Sequence, residues 1–259
     1  MVCLPGELSE AESATGAVRR WHDRRMEIVG AEPPTVEQIQ GRSVRLLARL
    51  RAGAEANGHD PARLRIVAVT KSWPVDVARA ALEAGLTILG ENRVQEAEPK
   101  IAALPDVEWH FIGRLQSNEA RRAVQGFAAI HSVDSLELLG RLDELAGEEG
   151  RNTRLLLQVN VSGEESKAGM SPVALAGPDL ALAGGTRLIG LMTMAPLGAS
   201  HDESRAVFRR LRELRDRMEQ AIGIGLPELS MGMTADADAA AAEGATLVRV
   251  GTALFGPRP

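Results

Sequence analysis

The stretch Leu64-Arg65-Ile66-Val67-Ala68-Val69-Thr70-Lys71-Ser72-Trp73-Pro74 is apolar and β-branched until it stops at a lysine, a serine and a proline. It reads as a buried strand. A lysine at the C-terminal tip of such a strand is unusual, because an amine avoids apolar surroundings unless its charge is matched or its pKa is lowered. On this stretch alone, the plainer reading is a solvated lysine where the strand ends. Downstream, short apolar runs alternate with amphipathic patterns. Strands are expected at 64–70, 87–91, 108–112, 129–133, 154–161, 188–194, 228–232 and 247–253, and helices at 75–84, 94–103, 118–125, 135–149, 172–183, 201–221 and 235–243. Ser135, Ser171 and Asp202 stand where helix caps are expected. Strands alternating with helices imply right-handed βαβ units, and near-continuous apolar strands imply burial on both faces. Eight such units fit an α/β fold of the single (β/α)8 TIM-barrel type. The competing open doubly wound sheet would carry a glycine-rich turn after its first strand, and Thr70-Lys71-Ser72-Trp73-Pro74 has no glycine.

Upstream, Thr35 is placed to cap a helix over 36–56 that Asn57-Gly58 ends, so the barrel is preceded by an N-terminal helix. Residues 1–33 show no clean periodicity and read as a flexible or loosely helical extension, leaving 34–259 as the barrel domain. The 259 residues are 44% hydrophobic and 25% charged, an ordinary globular composition. A net charge of −5 argues against a general nucleic-acid or anionic-membrane binder. Cys3 is the only cysteine, so neither an internal disulfide nor a thiolate metal cluster is expected. No stretch resembles a signal peptide or a membrane span, and a cytoplasmic protein is the expectation.

In a barrel, functional groups gather at the C-terminal ends of the strands. Here those ends carry Lys71, Glu91-Asn92, Gly113 to Asn118, Ser132 and Asp134, Asn160 and Ser162, Thr193, Ser230 to Thr234, and Arg249-Val250-Gly251-Thr252. Singly, most are polar because strand ends meet solvent. Together they carry more weight. Gly251-Thr252 beside the Ser230–Thr234 loop offers backbone N–H groups, hydroxyls and a glycine that allows close approach, the requirements of a phosphate cradle. A phosphate site on the seventh and eighth strands with an amine on the first would bracket a phosphorylated aldehyde, and pyridoxal phosphate is the obvious one.

Several segments carry a family resemblance: Ala68-Val69-Thr70-Lys71, Gly90-Glu91-Asn92-Arg93-Val94-Gln95-Glu96-Ala97, Trp109-His110-Phe111-Ile112-Gly113, Leu115-Gln116-Ser117-Asn118, His131-Ser132-Val133-Asp134, Gln158 to Glu164, Gly190-Leu191-Met192-Thr193-Met194, Leu229-Ser230-Met231-Gly232-Met233 and Val248 to Gly256. Taken in order from about Val36 to Gly256, they resemble the YggS/PROSC family of pyridoxal phosphate homeostasis proteins. The resemblance implies a barrel of the alanine racemase N-terminal type. It also implies that Lys71 forms the internal aldimine, that Arg249 faces the pyridine nitrogen, and that Ser230, Gly251 and Thr252 hold the phosphate. Asn92 would lie beside the cofactor, with His110 a weaker member of the site. The chain departs from the family at Glu119, where lysine is usual after Leu-Gln-x-Asn, at Arg93, where tyrosine is common, and at Thr234, which replaces serine. The lysine-to-glutamate change reverses a charge expected near the rim.

An arginine opposite the ring nitrogen can only donate, so the ring stays unprotonated and is a weak electron sink. In the resembling racemases the second proton-transfer group is a tyrosine from another domain, and this chain has no tyrosine. The resemblance therefore implies a protein that holds pyridoxal 5'-phosphate as a Schiff base on Lys71 and acts as carrier, buffer or regulator in vitamin B6 homeostasis, without efficient turnover. Apoenzymes that need the cofactor are possible recipients, and a monomer is expected. The alternatives are a racemase or lyase of the same fold type using His110 or a loop residue as second base, and a Schiff-base aldolase. No metal site is expected: His110 and His131 read as satisfied core residues. Helix 201–221, with six arginines among acidic residues, reads as a solvated ion-pair face, and Met231 and Met233 as core or cofactor-wall packing.

Overall fold

The computed structural model describes residues 32–163, 168–175 and 187–258. Eight parallel strands close into a barrel in chain order. They are β1 (Arg65–Val69), β2 (Ile88–Glu91), β3 (Glu108–Phe111), β4 (Ala129–Val133), β5 (Arg154–Gln158), β6 (Leu188–Met192), β7 (Glu228–Ser230) and β8 (Leu247–Val250). Helices α1 (Val36–Ala56), α2 (Val75–Glu83), α3 (Val94–Ala103), α4 (Ala120–Gly126), α5 (Leu136–Glu148), α6 (His201–Ile222), α7 (Ala237–Ala242) and α8 (Thr252–Phe255) accompany them. Closure is made by β1 and β8, which place Val67 opposite Arg249 and Ala68 opposite Val250. The main core lies between strands and helices; a smaller cluster of Val67, Ile88, Leu156, Met192 and Leu247 sits apart from it.

Local chemistry explains the helix before the barrel. Thr35 Oγ1 accepts from the Gln38 N–H while the Gln38 side chain accepts from the Thr35 N–H, a reciprocal cap. Ile39, Leu46, Leu50 and Ala54 form the buried stripe of α1, and Arg42 donates to the Leu254 carbonyl of α8 at 2.9 Å.

Several boundaries differ from the sequence reading. The fifth strand stops at Gln158, after which Val159 forms an isolated bridge with Met170 while its N–H donates to the Met192 carbonyl. Of the helix expected over 172–183, Pro172–Leu175 is a 3-10 turn and 176–183 lie outside the described residues, as does nearly all of the 1–33 extension. The eighth strand ends at Val250, and Thr252–Phe255 turns into α8. Ser200, not Asp202, caps α6, in a capping box with Glu203, while Asp202 falls in the first turn. The arginines of α6 do more than pair along their own helix: Arg205, Arg209 and Arg212 all reach Glu243, a carboxylate 2% exposed just after α7. Glu119 is buried and accepts from the Gln95 amide, so the reversed charge is not out on the rim. Met231 is fully buried and Met233 is 40% exposed.

Candidate functional site at the C-terminal mouth

Lys71 follows β1 on a turn held from both sides. The Thr70 hydroxyl donates to Glu91 Oε1 at 2.7 Å, and the Lys100 ammonium donates to the Thr70 carbonyl at 2.9 Å and to the same Glu91 oxygen at 2.7 Å. Glu91 and Lys100 are both buried. Burial pushes the Glu91 carboxyl up, against the opposing pull of Lys100. Beyond Lys71, Ser72 takes φ of 66°, a left-handed conformation that a residue with a Cβ seldom adopts, and its N–H donates to Glu96. Trp73 then packs its ring against Phe255, centroids 6.4 Å apart. The Lys71 amine itself makes no hydrogen bond or ion pair to a described residue. Burial is the main force holding its pKa below the usual lysine value; Arg258 adds to this, and Glu91 and Glu96 oppose it.

Arg249 lies across the β1–β8 seam, 5% exposed. Its Nη1 donates to Ser230 Oγ at 2.6 Å and its Nη2 to the Thr193 carbonyl at 3.0 Å. It forms no ion pair with a carboxylate among the described residues, and burial lowers its pKa to about 10. Gly251 closes against β1: a Cβ there would stand 3.3 Å from the Val69 carbonyl oxygen. Thr252 is exposed and begins α8, and the Ala253 N–H donates to Thr234 Oγ1 at 3.4 Å, joining the loops after β7 and β8. Asn92 is half-buried after β2, where Gly113 passes so near that a Cβ would stand 2.1 Å from the Asn92 carbonyl oxygen.

Lys71, Asn92, Arg249, Gly251 and Thr252 thus share one mouth of the barrel. Ser230 and His110 are engaged inside the barrel. The fully buried Ser230 hydroxyl lies between Arg249 and His131 Nδ1, and His110 is bonded to His131 and Glu108. Lys100 was not legible as a site residue. Its signal is faint: it falls in phase with Val94 and Ala97 on the buried stripe of α3, where an apolar residue would be ordinary. The described residues contain no cluster of potential metal ligands.

The fold and site define a barrel of the alanine racemase N-terminal class, and residues 54–259 match the family model of that domain. Within it, the chain belongs to the family of pyridoxal phosphate homeostasis proteins. A relative of that name from Pseudomonas aeruginosa is 45% identical over 220 residues, covering 83% of this chain and 93% of the relative. One from Synechocystis sp. is 43% identical over 203 residues, covering 76% and 93%. Among solved structures, PipY of Synechococcus elongatus PCC7942 with PLP bound is 44% identical with a TM-score of 0.71, covering 82% of this chain and 100% of PipY.

Proposed function

We propose that this protein binds pyridoxal 5'-phosphate through Lys71 and serves vitamin B6 homeostasis as a carrier, buffer or regulator, without efficient turnover. The observation that carries this reading is a pair of groups at one mouth that are unmatched among the described residues: an amine without a hydrogen bond or ion pair and a buried guanidinium without a carboxylate. Both fit the cofactor. A lysine with a lowered pKa is more often neutral and able to add to an aldehyde. Arg249 can only donate, so a ring nitrogen facing it accepts and stays unprotonated. Gly251 admits a close approach, and the hydroxyls of Thr252 and Thr234 flank it. The Ser230 hydroxyl serves Arg249 in this reading, not the phosphate.

When bound, the cofactor supplies an electron sink, which an unprotonated ring weakens. The chain's own acid–base groups near Lys71 are already engaged: Glu91 with Lys100 and Thr70, Glu96 with the Ser72 N–H. The chain contains no tyrosine to act as a second base. A cytoplasmic location, a monomeric state and recipient apoenzymes belong to the same reading. No helix among the described residues is long and apolar enough to cross a membrane.

The test is an absorbance spectrum of wild type beside Lys71→Ala. A yellow wild type, bleached by borohydride with the label on Lys71, and a colourless variant are expected. The chain has only three lysines, Lys71, Lys100 and Lys167, so the labelled peptide is quickly assigned. Robust racemase, aldolase or dehydratase turnover that Lys71→Ala abolishes would overturn the non-catalytic reading. Labelling that needs a different added aldehyde would overturn the cofactor.

A further inference from the structure

The inside of a (β/α)8 barrel is ordinarily filled by bulky branched side chains. Here a file of polar side chains crosses it from mouth to mouth. Arg249 Nη1 meets Ser230 Oγ at 2.6 Å, Ser230 Oγ meets His131 Nδ1 at 2.8 Å, His131 Nε2 meets His110 Nδ1 at 2.9 Å, and His110 Nε2 meets Glu108 Oε1 at 2.8 Å. The file joins β8, β7, β4 and β3, and since β4 and β7 are not neighbours but are separated by β5 and β6, it runs through the interior. Both imidazoles and Ser230 are buried, whereas the Glu108 side chain is 34% exposed at the N-terminal end of β3, the mouth away from Lys71.

Elementary donor counting gives the file a direction. Arg249 can only donate, so Ser230 accepts from it, and the one acceptor left for the Ser230 O–H is His131 Nδ1. His131 then carries its proton on Nε2 and donates to His110 Nδ1. His110 likewise carries its proton on Nε2 and donates to Glu108, which as a carboxylate can only accept. The two ends agree on this direction only if both histidines are neutral. The cations around them favour that: Arg249 lies at one end, Arg154 is paired with Glu108 at the other, and Arg65 is paired with Glu228 beside it.

We propose that Glu108, at the far mouth of the barrel, is a positioning residue for Arg249, acting through a relay of fixed direction: Arg249 to Ser230 to His131 to His110 to Glu108. Without the carboxylate, the relay can reverse. His131 would then donate to Ser230, whose oxygen can accept from both His131 and Arg249 but whose O–H is left without an acceptor, so the Ser230 contact that orients Arg249 loses its fixed direction. This goes beyond the cofactor reading, since the direction is a property of the ligand-free chain.

The experiment is nitrogen-15 spectroscopy of the imidazoles in ligand-free protein, with assignments from His131→Asn. In wild type, both histidines are expected as single neutral Nε2–H tautomers that do not titrate near pH 6.5. Glu108→Leu should give mixed tautomers, and Glu108→Gln, which keeps an acceptor, should restore one. Arg154→Met breaks the ion pair but keeps the carboxylate on His110, so it should leave the tautomers unchanged even if stability falls. A second readout is the pH midpoint of the visible band after adding pyridoxal phosphate, shifted by Glu108→Leu and not by Arg154→Met. An Nδ1–H tautomer at either histidine in wild type, or unchanged tautomers in Glu108→Leu, would overturn the relay. Should Glu108→Leu fail to fold, Glu108→Ala is read in its place, with the same expected and overturning results.

Discussion

Lys100 shows how much of the structure around Lys71 is built behind it. It is tolerated at 4% exposure because its ammonium has acceptors in Glu91, the Thr70 carbonyl and Glu96. One of those bonds pins the backbone immediately before Lys71. Lys100→Met would leave the Glu91 charge buried and unpaired, a loss of about 3–5 kcal/mol for a broken buried pair, readable by urea unfolding. Adding Glu91→Gln should recover part of it, because a neutral amide replaces the stranded carboxylate. The two lysines also show what a sequence can and cannot display. Lys71 stands out as a local break in an apolar run, and the expectation that it forms the aldimine comes from the other strand ends and the family resemblance. Lys100 sits in a helix with ordinary amphipathic composition, and only the meeting of α3 with the ends of β1 and β2 makes it part of the site. Ser230 was legible as a residue at a strand end, but not in its direction, which depends on His131 across the barrel.

Among elements, the strand count follows from alternation and barrel closure from that count together with the glycine-free turn after the first strand, while the ends of elements depend on contacts far apart in the chain. The eighth strand yields to α8 at Thr252, where Phe255 meets Trp73, a contact spanning nearly the whole barrel. Gly113 is another such case. Its place against the Asn92 carbonyl means that Gly113→Ala has to displace the β2 loop; a loss of about 1–3 kcal/mol, typical of overpacking, and weaker retention of pyridoxal phosphate are expected in thermal melts and dialysis. Helix α6 read as a solvated face, yet three of its arginines close on Glu243. Glu243→Gln should therefore loosen α6 from α7, lowering stability by about 1–2 kcal/mol, since the arginines stay partly hydrated, with a matching fall in melting temperature.

At the scale of the whole molecule, the polar interior makes stability depend on pH. Burial holds His110 and His131 below the ordinary histidine value of 6.5, so the unfolded chain takes up protons there that the native chain does not. Their contribution is therefore lost as pH falls below about 6.5. Glu108 behaves as a lowered carboxyl, at about 2 against 4.5, chiefly through its bond with His110, so its contribution is present above 4.5 and lost as pH falls toward 2. Urea midpoints should decline in these two successive stages on acidification, and His131→Asn should flatten the first.

The closure of β1 on β8 also has a consequence in time. Lys71 lies near the start of the barrel and Arg249 near its end, and each strand between them pairs with its sequence neighbour, so the two groups meet only when the last strand docks. A nascent chain halted before Leu247 carries the lysine but not its counterpart. The mouth therefore exists only once β8 has emerged and docked, and a chain cut short before β8 should keep no pyridoxal phosphate through gel filtration.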